Sequence, residues 1–460
     1  MGLPIYLLSD NFVKTKHITE DMPFQIEEIN ARELLCPERL DLAAKIAYIE
    51  ARENGGDMHF AEEAYRKHIE AFSDGYYTEP GDESKNSLDK FLSVFDELID
   101  EFRDRGFDPS KSLIPVGKNN IILDGAHRTA CAIFFNKTVS IIRFPQFEVN
   151  FNYEYFRSKR LSEEMLRYMA VKYSQYAQKN LYFACFWPVS AESKRPKAIK
   201  LISDKYSIVL DSTMVLSKNG LRNFMLQIYQ HQDWVGTPEN HFSGVMGKVD
   251  ACFAPGGNIE TVMFEGGNLE DVLAVKNQIR EMFHIDKHAI HISDSSKETN
   301  LIADSLWNEN SIHALNYGKP DYYPEIYSKL REKLTPPKAF NRWATLAYYG
   351  ITEEDGICSE CAEYDPFNPR TFFVFDGQKL PALAVVKGIL SKSGDRELYT
   401  QIANLLQSTG GNTTLRRKME DVRTTIAWKI QQTILRCKQI GMRITQRIGI
   451  YHFLHKLLHR

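Results

Sequence analysis

The sequence lacks the features that mark secreted and membrane-spanning proteins. Its first residues carry no basic segment followed by a long apolar one, and no stretch reaches 18 uninterrupted apolar residues. A signal peptide needs the first feature and a transmembrane helix needs the second. We therefore expect a cytoplasmic protein.

Cysteine is scarce and irregularly spaced. Seven cysteines are spread through 460 residues, an odd number that suits a reducing compartment better than a disulfide framework. Cys358 and Cys361 have the spacing of zinc and redox sites, but no second CxxC supplies the other two ligands of the usual four. No metal site is predicted, and the sequence leaves the role of this pair open.

The remaining composition is that of a globular protein with several domains. Hydrophobic residues make up 43% of the chain and charged residues 25%, which is enough to bury sizeable cores, and a chain of this length usually holds two or three domains. The pattern along the sequence predicts an N-terminal domain over residues 1–148, a connection over 149–189, a second domain over 190–410 and a tail over 411–460. We expect the mixed α/β (α+β) fold class for both domains.

One stretch of the N-terminal domain predicts a binding site for an anion. An apolar run over residues 121–123 meets Asp124, Gly125, His127 and Arg128 and then continues as a helical pattern. This order predicts a strand, a tight turn and a helix. The first turn of a helix has unpaired N–H groups and a partial positive charge, so two basic side chains beside it would favour a phosphate. The alternative is that Asp124 only caps the helix.

The elements before this turn complete a small α/β unit. Pro37 and Glu38 suit the first turn of a helix. Farther along, Ser87 is a capping residue in front of residues 88–102, whose apolar side chains have helical spacing, and residues 113–116 have the pattern of a strand.

This order of elements resembles the ParB N-terminal and sulfiredoxin-like fold over residues 25–145, and within that fold the free-serine-kinase branch. The resemblance implies that the turn binds a nucleotide phosphate, with ATP, ADP or CTP as the nucleotide and Mg²⁺ as its metal ion. It also implies catalytic roles for Asp124, for His127 and for Glu38, which would accept the proton of the attacking hydroxyl. The phosphate-binding residues that it implies are Asp124, Gly125, Ala126, His127, Arg128 and Thr129.

An insertion over about residues 55–87 departs from this pattern. Part of it has the composition of a binding loop or of an ordinary surface loop. We expect the insertion to decide which hydroxyl compound accepts the phosphate. The candidate acceptor-binding residues are Tyr65, Lys67, His68, Glu79 and Lys85.

The second domain contains another polar junction between a strand and a helix. His291 ends a predicted strand, and Asp294 and Glu298 stand at the start of the next helix. The three could bind a cation, or Ser295 and Glu298 could form a capping box beside a buried histidine; the pattern favours capping. Residues 190–400 resemble nucleotidyltransferase-like proteins of surface-polysaccharide pathways, but lack the Gly-Ser and paired acids with which those enzymes bind metal.

The last fifty residues are basic. Residues 411–460 contain 11 Lys and Arg but only two Asp and Glu, whereas the whole chain has a net charge of −3. Apolar residues recur among the basic ones, which predicts amphipathic helices that bind an anionic membrane surface or pack on the protein itself. Nucleic acid is a less favoured partner, because the basic residues lack an aromatic stacking pattern. A membrane-bound tail would place the protein peripherally on the inner face of the membrane.

These features together predict a nucleotide-dependent kinase that phosphorylates a hydroxyl of a small molecule, such as a serine-like compound, a sugar or a polyol. Cell-surface polysaccharide biosynthesis is one setting that fits. Two alternatives stay open. The first is a nucleotide-dependent, ParB-like DNA-binding or regulatory protein. The second is a nucleotidyltransferase that acts through the second domain.

Overall fold

The computed structural model has a mixed α/β fold, as the sequence predicts. It describes residues 2–75, 87–320, 342–351, 365–393 and 396–407. Glu79, Lys85, Cys358, Cys361 and the basic tail lie outside the described residues, so what was predicted for them stays a prediction.

The chain divides into two compact units, residues 1–389 and 390–460. All nine described strands lie in the first unit, where they form a three-stranded sheet, a four-stranded sheet and a hairpin. In the second unit, residues 396–407 are helical. None of the described helices combines the length and the hydropathy needed to cross a lipid bilayer.

The N-terminal part is built on the three-stranded sheet, in the order β1-β3-β2. Strand β1 (Ile26–Asn30) is antiparallel to β3 (Thr138–Arg143), and β2 (Ile114–Val116) is parallel to β3. Helix α2 packs against α3 and α5, and α4 packs against α5. The helices of this part are α1 (Asp10–Thr15), α2 (Asp41–Glu53), α3 (Met58–Phe72), α4 (Leu88–Arg105) and α5 (Ala126–Phe134).

Two predicted elements differ in the structure. Helix α2 begins at Asp41, not at Pro37, because residues 37–40 are held out of the helix by Phe151. The N–H of Phe151 donates to the carbonyl oxygen of Glu38 at 2.7 Å, and the carbonyl oxygen of Phe151 accepts from the N–H of Leu40 at 3.2 Å. The predicted strand at residues 121–123 is reduced to a single bridge at Ile122. By contrast, α4 begins directly after its predicted cap, Ser87.

The second part is built on a four-stranded antiparallel sheet in the order β5-β6-β4-β7. Its strands are β4 (Leu181–Phe186), β5 (Ser207–Met214), β6 (Ile259–Glu265) and β7 (Ile290–Ile292). Two helices precede it, α6 (Tyr153–Ser158) and α7 (Glu163–Tyr176). The others are α8 (Arg195–Ser203), α9 (Lys218–Tyr229), α10 (Ser243–Cys252), α11 (Leu269–Phe283), α12 (Ser296–Leu306) and α13 (Glu309–Tyr317).

Both faces of the sheet are buried at its inner strand β4. Successive side chains of a strand point to opposite faces, and every residue of β4 is buried. One face packs against α8 and α11 through Tyr182, Ala184 and Phe186. After α14 (Arg342–Tyr348), the hairpin of β8 (Phe372–Phe375) and β9 (Gln378–Pro381) turns at Asp376 and Gly377, both with positive φ. Helix α15 (Leu383–Ser393) follows.

Candidate functional site

Gly125 opens helix α5 at the predicted turn. It is the N-cap residue and has φ 79° and ψ 30°, a left-handed conformation that glycine adopts at little cost. Glycine has no side chain with which to cap the helix. Asp124 does not cap it either, because one carboxylate oxygen accepts from the N–H of Gly125 at 2.7 Å and the other from the hydroxyl of Ser9 at 2.7 Å. The alternative in which Asp124 is a simple helix cap is therefore wrong.

The side chain of Arg128 bends back over the start of its own helix. A Cβ added to Gly125 would lie 2.9 Å from Nη2 of Arg128 and 2.9 Å from Cδ1 of Ile114. The guanidinium group therefore lies against the turn, where its charge adds to the positive end of the helix dipole. Thr129 is buried, and its hydroxyl donates to the carbonyl oxygen of Gly125 at 3.0 Å, so it stabilises the turn from within.

His127 is held by aromatic residues of α3 and α4. Its Nε2 lies 2.7 Å from the phenol oxygen of Tyr65. Its ring packs perpendicular to that of Phe95, with 4.7 Å between the ring centroids. Tyr65 is fully buried and stacks on Phe95 at 5.4 Å. The insertion between α2 and α4 therefore contributes a side chain directly to the turn.

A buried cluster of charged residues, which the sequence analysis missed, lies behind the turn. Arg39 donates to the two carboxylate oxygens of Asp41 at 2.8 and 2.9 Å and to the carbonyl oxygen of Ile122 at 2.5 Å. Nζ of Lys45 lies 3.0 Å from the same carboxylate. All three charged residues are at most 3% exposed. Burial alone would raise the pKa of the Asp41 carboxyl, but the two cations lower it well below its usual range.

His68 extends this cluster into α3. Burial and the charge of Lys45 lower the pKa of His68 well below its ordinary value, so its ring is neutral. A carbonyl oxygen can only accept, so Nδ1–H of His68 donates to the carbonyl oxygen of Tyr65 at 2.7 Å. Its Nε2 then accepts from the ammonium group of Lys45 at 3.0 Å. A continuous chain of hydrogen bonds thus runs from Asp41 to the backbone of Tyr65.

The charged side chains described around the turn include more cations than carboxylates. Arg39, Lys45 and Arg128 are three cations, and Asp41 and Asp124 are two carboxylates. Burial acts to lower the pKa of Arg39, but the negative charges of Asp41 and Asp124 raise it. Buried charge is costly unless an opposite charge lies close. Arg39 and Lys45 are paired with Asp41, whereas the guanidinium group of Arg128 lies against Gly125 at the start of α5.

The structure places Glu38 apart from this network. Its carboxylate accepts a hydrogen bond from the hydroxyl of Ser207 at 3.3 Å. Its negative charge contributes, after Glu265, to raising the pKa of Lys179. Its backbone neighbour Arg39 reaches the turn, whereas the Glu38 side chain is directed to the second sheet. The role of Glu38 as the proton acceptor stays a prediction.

The predicted acceptor-binding residues separate into two groups. Tyr65 and His68 are fully buried and bonded to other residues of the chain. Lys67 lies on the exposed side of α3, where it forms an ion pair with Glu63 at 2.9 Å. Of these three, Tyr65 is the one that contacts the turn, and it does so through His127.

At the start of α12, the polar side chains of the junction bond to one another and to neighbouring backbone N–H groups. Ser295 accepts from the N–H of Glu298 at 3.2 Å, and Glu298 accepts from the N–H of Asp294 at 2.7 Å. Glu298 also lies 2.9 Å from Nε2 of His291, while Asp294 lies 3.4 Å from Lys276. The predicted cap at Ser295 is confirmed, but the capping box is incomplete, because Glu298 accepts from the N–H of Asp294 and not from that of Ser295. The three residues do not converge on a cation. Within the described ranges, no group of three or more His, Cys, Asp or Glu side chains is arranged to hold a metal ion.

Comparisons of the chain with models of protein families, with curated proteins and with solved structures found no match.

Proposed function

We propose that the start of α5 binds the phosphate groups of a nucleotide, and that the protein transfers a phosphoryl group to a hydroxyl of a small molecule. The main support is the geometry at Gly125, a left-handed N-cap residue that has no side chain of its own, and the guanidinium group of Arg128, which lies against the turn. Phosphoryl transfer depends chiefly on positioning and on positive groups around the transferred oxygens. The turn offers both.

The residues at the turn fit a magnesium nucleotide. Mg²⁺ is usually bound by one or two protein carboxylates, with phosphate oxygens and water as its other ligands. Asp124 is a carboxylate at the turn, and its contacts with Ser9 and Gly125 fix its orientation. The ion would neutralise phosphate charge, while the protein holds the nucleotide through Arg128, His127 and the N-terminus of α5.

The transfer step can be tested with the full chain. The protein is incubated with ATP or CTP, Mg²⁺ and a panel of hydroxy amino acids, sugars and polyols, and products are followed by ³¹P NMR. We expect a phosphorylated product that is lost in Arg128→Gln and retained in Ser295→Ala. Loss in Glu38→Gln would support its role as the proton acceptor.

Other outcomes would point to the alternative functions. Nucleotide hydrolysis that occurs only when DNA is added would favour a ParB-like protein. Release of pyrophosphate with transfer of the nucleotidyl group, unaffected by Arg128→Gln, would favour chemistry in the second part of the chain.

A further inference from the structure

We propose that Arg370 is a positioning residue for the insertion helix α3, which it holds in the place where Tyr65 contacts His127. Arg370 ends a short segment, residues 365–370, that we call the clamp segment. The consequence for nucleotide binding rests on the proposed function, but the hold on α3 itself can be tested without it.

The guanidinium group of Arg370 joins α3 to α7. It donates to both carboxylate oxygens of Glu63 on α3, at 2.8 and 3.1 Å, and to both of Glu164 on α7, at 2.8 and 3.0 Å. The same group lies 5.0 Å from the ring centroid of Phe60, a buried residue of α3. Forked ion pairs fix the orientation of both partners, and one guanidinium group that makes two of them restricts how the two helices move against each other.

The clamp segment also contacts the start of α3. The N–H of Asp57, the N-cap residue of this helix, donates to a carboxylate oxygen of Asp365 at 2.8 Å. A Cβ added to Gly56 would lie only 2.6 Å from Cδ2 of Phe367, so this ring packs directly against the backbone. The first turns of α3 are therefore held at several points by one segment.

The second part of the chain fixes the clamp segment in turn. The side-chain amides of Asn308 and Asn310 donate to the carbonyl oxygen of Pro369 at 2.9 and 3.2 Å, and Lys379 donates to that of Pro366 at 2.5 Å. These anchors belong to the start of α13 and to β9. The position of α3 is therefore determined from the second part of the chain as well as by its packing on α2.

Helix α3 connects this hold to the proposed phosphate site. Two residues after Glu63, the phenol oxygen of Tyr65 lies 2.7 Å from Nε2 of His127, in the first turn of α5. A hydrogen bond of this length tolerates a displacement of only a few tenths of an ångström before it weakens. We infer that Arg370 acts on nucleotide binding through this contact, whichever of the two groups donates.

The hold on α3 is measured by hydrogen–deuterium exchange of the full chain. We expect the amides of α3 to exchange roughly three- to tenfold faster in Arg370→Gln, as expected for loss of two forked ion pairs at the surface. Glu63→Gln should have a similar effect, and the double variant should add little, because both changes remove one bridge. The matched control is Arg157→Gln, since Arg157 also bridges two carboxylates, those of Glu163 at 2.7 Å and Asp211 at 2.6 Å; it should leave α3 unchanged.

The effect on the site is measured as binding of Mg–ADP at a temperature where every variant is folded. Arg370→Gln should weaken the affinity roughly three- to tenfold, at most the loss expected for one hydrogen bond. A role in stability alone would not change the affinity of the folded protein. In the presence of Tyr65→Phe the same substitution should cause no further loss, because both act through the contact with His127. Arg157→Gln should bind as the unaltered protein does.

The two ideas fail in different ways. Unchanged exchange of α3 in Arg370→Gln, or an equal change in Arg157→Gln, would overturn the hold on α3. Faster exchange with an unaltered affinity for Mg–ADP would overturn the positioning role at the site. If exchange changes as expected but the unaltered protein binds no nucleotide, Arg370 does hold α3 and the proposed function is wrong.

Discussion

Two helices of this chain begin at junctions that look alike in sequence and differ in structure. At α12, the side chain of Ser295 accepts from the N–H of Glu298, while the carboxylate of Glu298 accepts from the N–H of Asp294 and bonds His291. At α5, the N-cap is Gly125, which has no side chain with which to cap the helix, and Arg128 lies over the turn. Side chains that bond the backbone N–H groups at the start of a helix have a structural role. The start of α5, with a glycine as its N-cap residue and a cation beside it, is where we propose that an anion binds.

The largest difference between the junctions is the buried ionic cluster behind α5. Asp41→Asn removes the carboxylate that lies between Arg39 and Lys45, leaving buried cations without their partner. We expect the free energy of unfolding, measured with urea, to fall by about 3–5 kcal/mol. The control is Glu27→Gln, which breaks a half-exposed pair with Arg143 and should cost about 0–1 kcal/mol. Equal losses in the two variants would show that the cluster is not buried as described.

The conformation of Gly125 should be the next most sensitive feature. Gly125→Ala forces a side chain into a left-handed conformation and against Arg128 and Ile114. We expect a loss of about 1–3 kcal/mol of stability together with loss of Mg–ADP binding. Gly377→Ala is the matched control, since its φ is +73° but a Cβ there meets nothing within 4 Å. It should be strained by about 1–2 kcal/mol and should bind ADP normally; loss of binding there as well would contradict a local role for Gly125.

The neutral state of His68 should make folding sensitive to acid. Its pKa is lowered in the folded protein by burial and by Lys45, so the unfolded chain takes up the proton first as the pH falls. Stability should be complete above about pH 6.5 and decline below it, by up to about 1.4 kcal/mol per pH unit. His68→Gln should flatten this decline, whereas substitution of the exposed His59 on the same helix should not. An unchanged slope in His68→Gln would mean that His68 is charged in the folded state.

The smallest effect is expected at the capped junction. Ser295→Ala removes the side chain that accepts from the N–H of Glu298 and should cost about 1 kcal/mol of stability. Binding of Mg–ADP should not change. A loss of nucleotide affinity in this variant would indicate that α12, and not α5 alone, takes part in binding.

Local patterns predicted much of the fold. The apolar spacing over residues 88–102 was sufficient to place α4, because this helix buries one face. The start of α2 was misplaced because Phe151, which lies far along the chain, holds the preceding segment through its backbone. Propensity at Pro37 gives no information about that contact.

The candidate site was predicted in part. The turn at Asp124–Arg128 was found, but the cluster of Arg39, Asp41 and Lys45 was missed, because a sequence does not show that a charged side chain is buried. The four-residue spacing of Asp41 and Lys45 was the only local signal of their pairing. A clearer signal existed in α3, where Tyr65 and His68 share a face with Phe60, Ala61, Ala64 and Ile69. That spacing indicates burial and argues that the two residues support the site from within.

Binding of Mg–ADP, measured by isothermal titration calorimetry, tests the central claim most directly. The unaltered protein is compared with Arg128→Gln, which changes the start of α5, and with Lys297→Gln, which changes the first turn of α12. We expect the unaltered protein and Lys297→Gln to bind equally, and Arg128→Gln to bind roughly tenfold to a hundredfold more weakly, the loss expected for one charged hydrogen-bond donor. Absence of binding, or equal binding by all three proteins, would contradict a phosphate site at the start of α5.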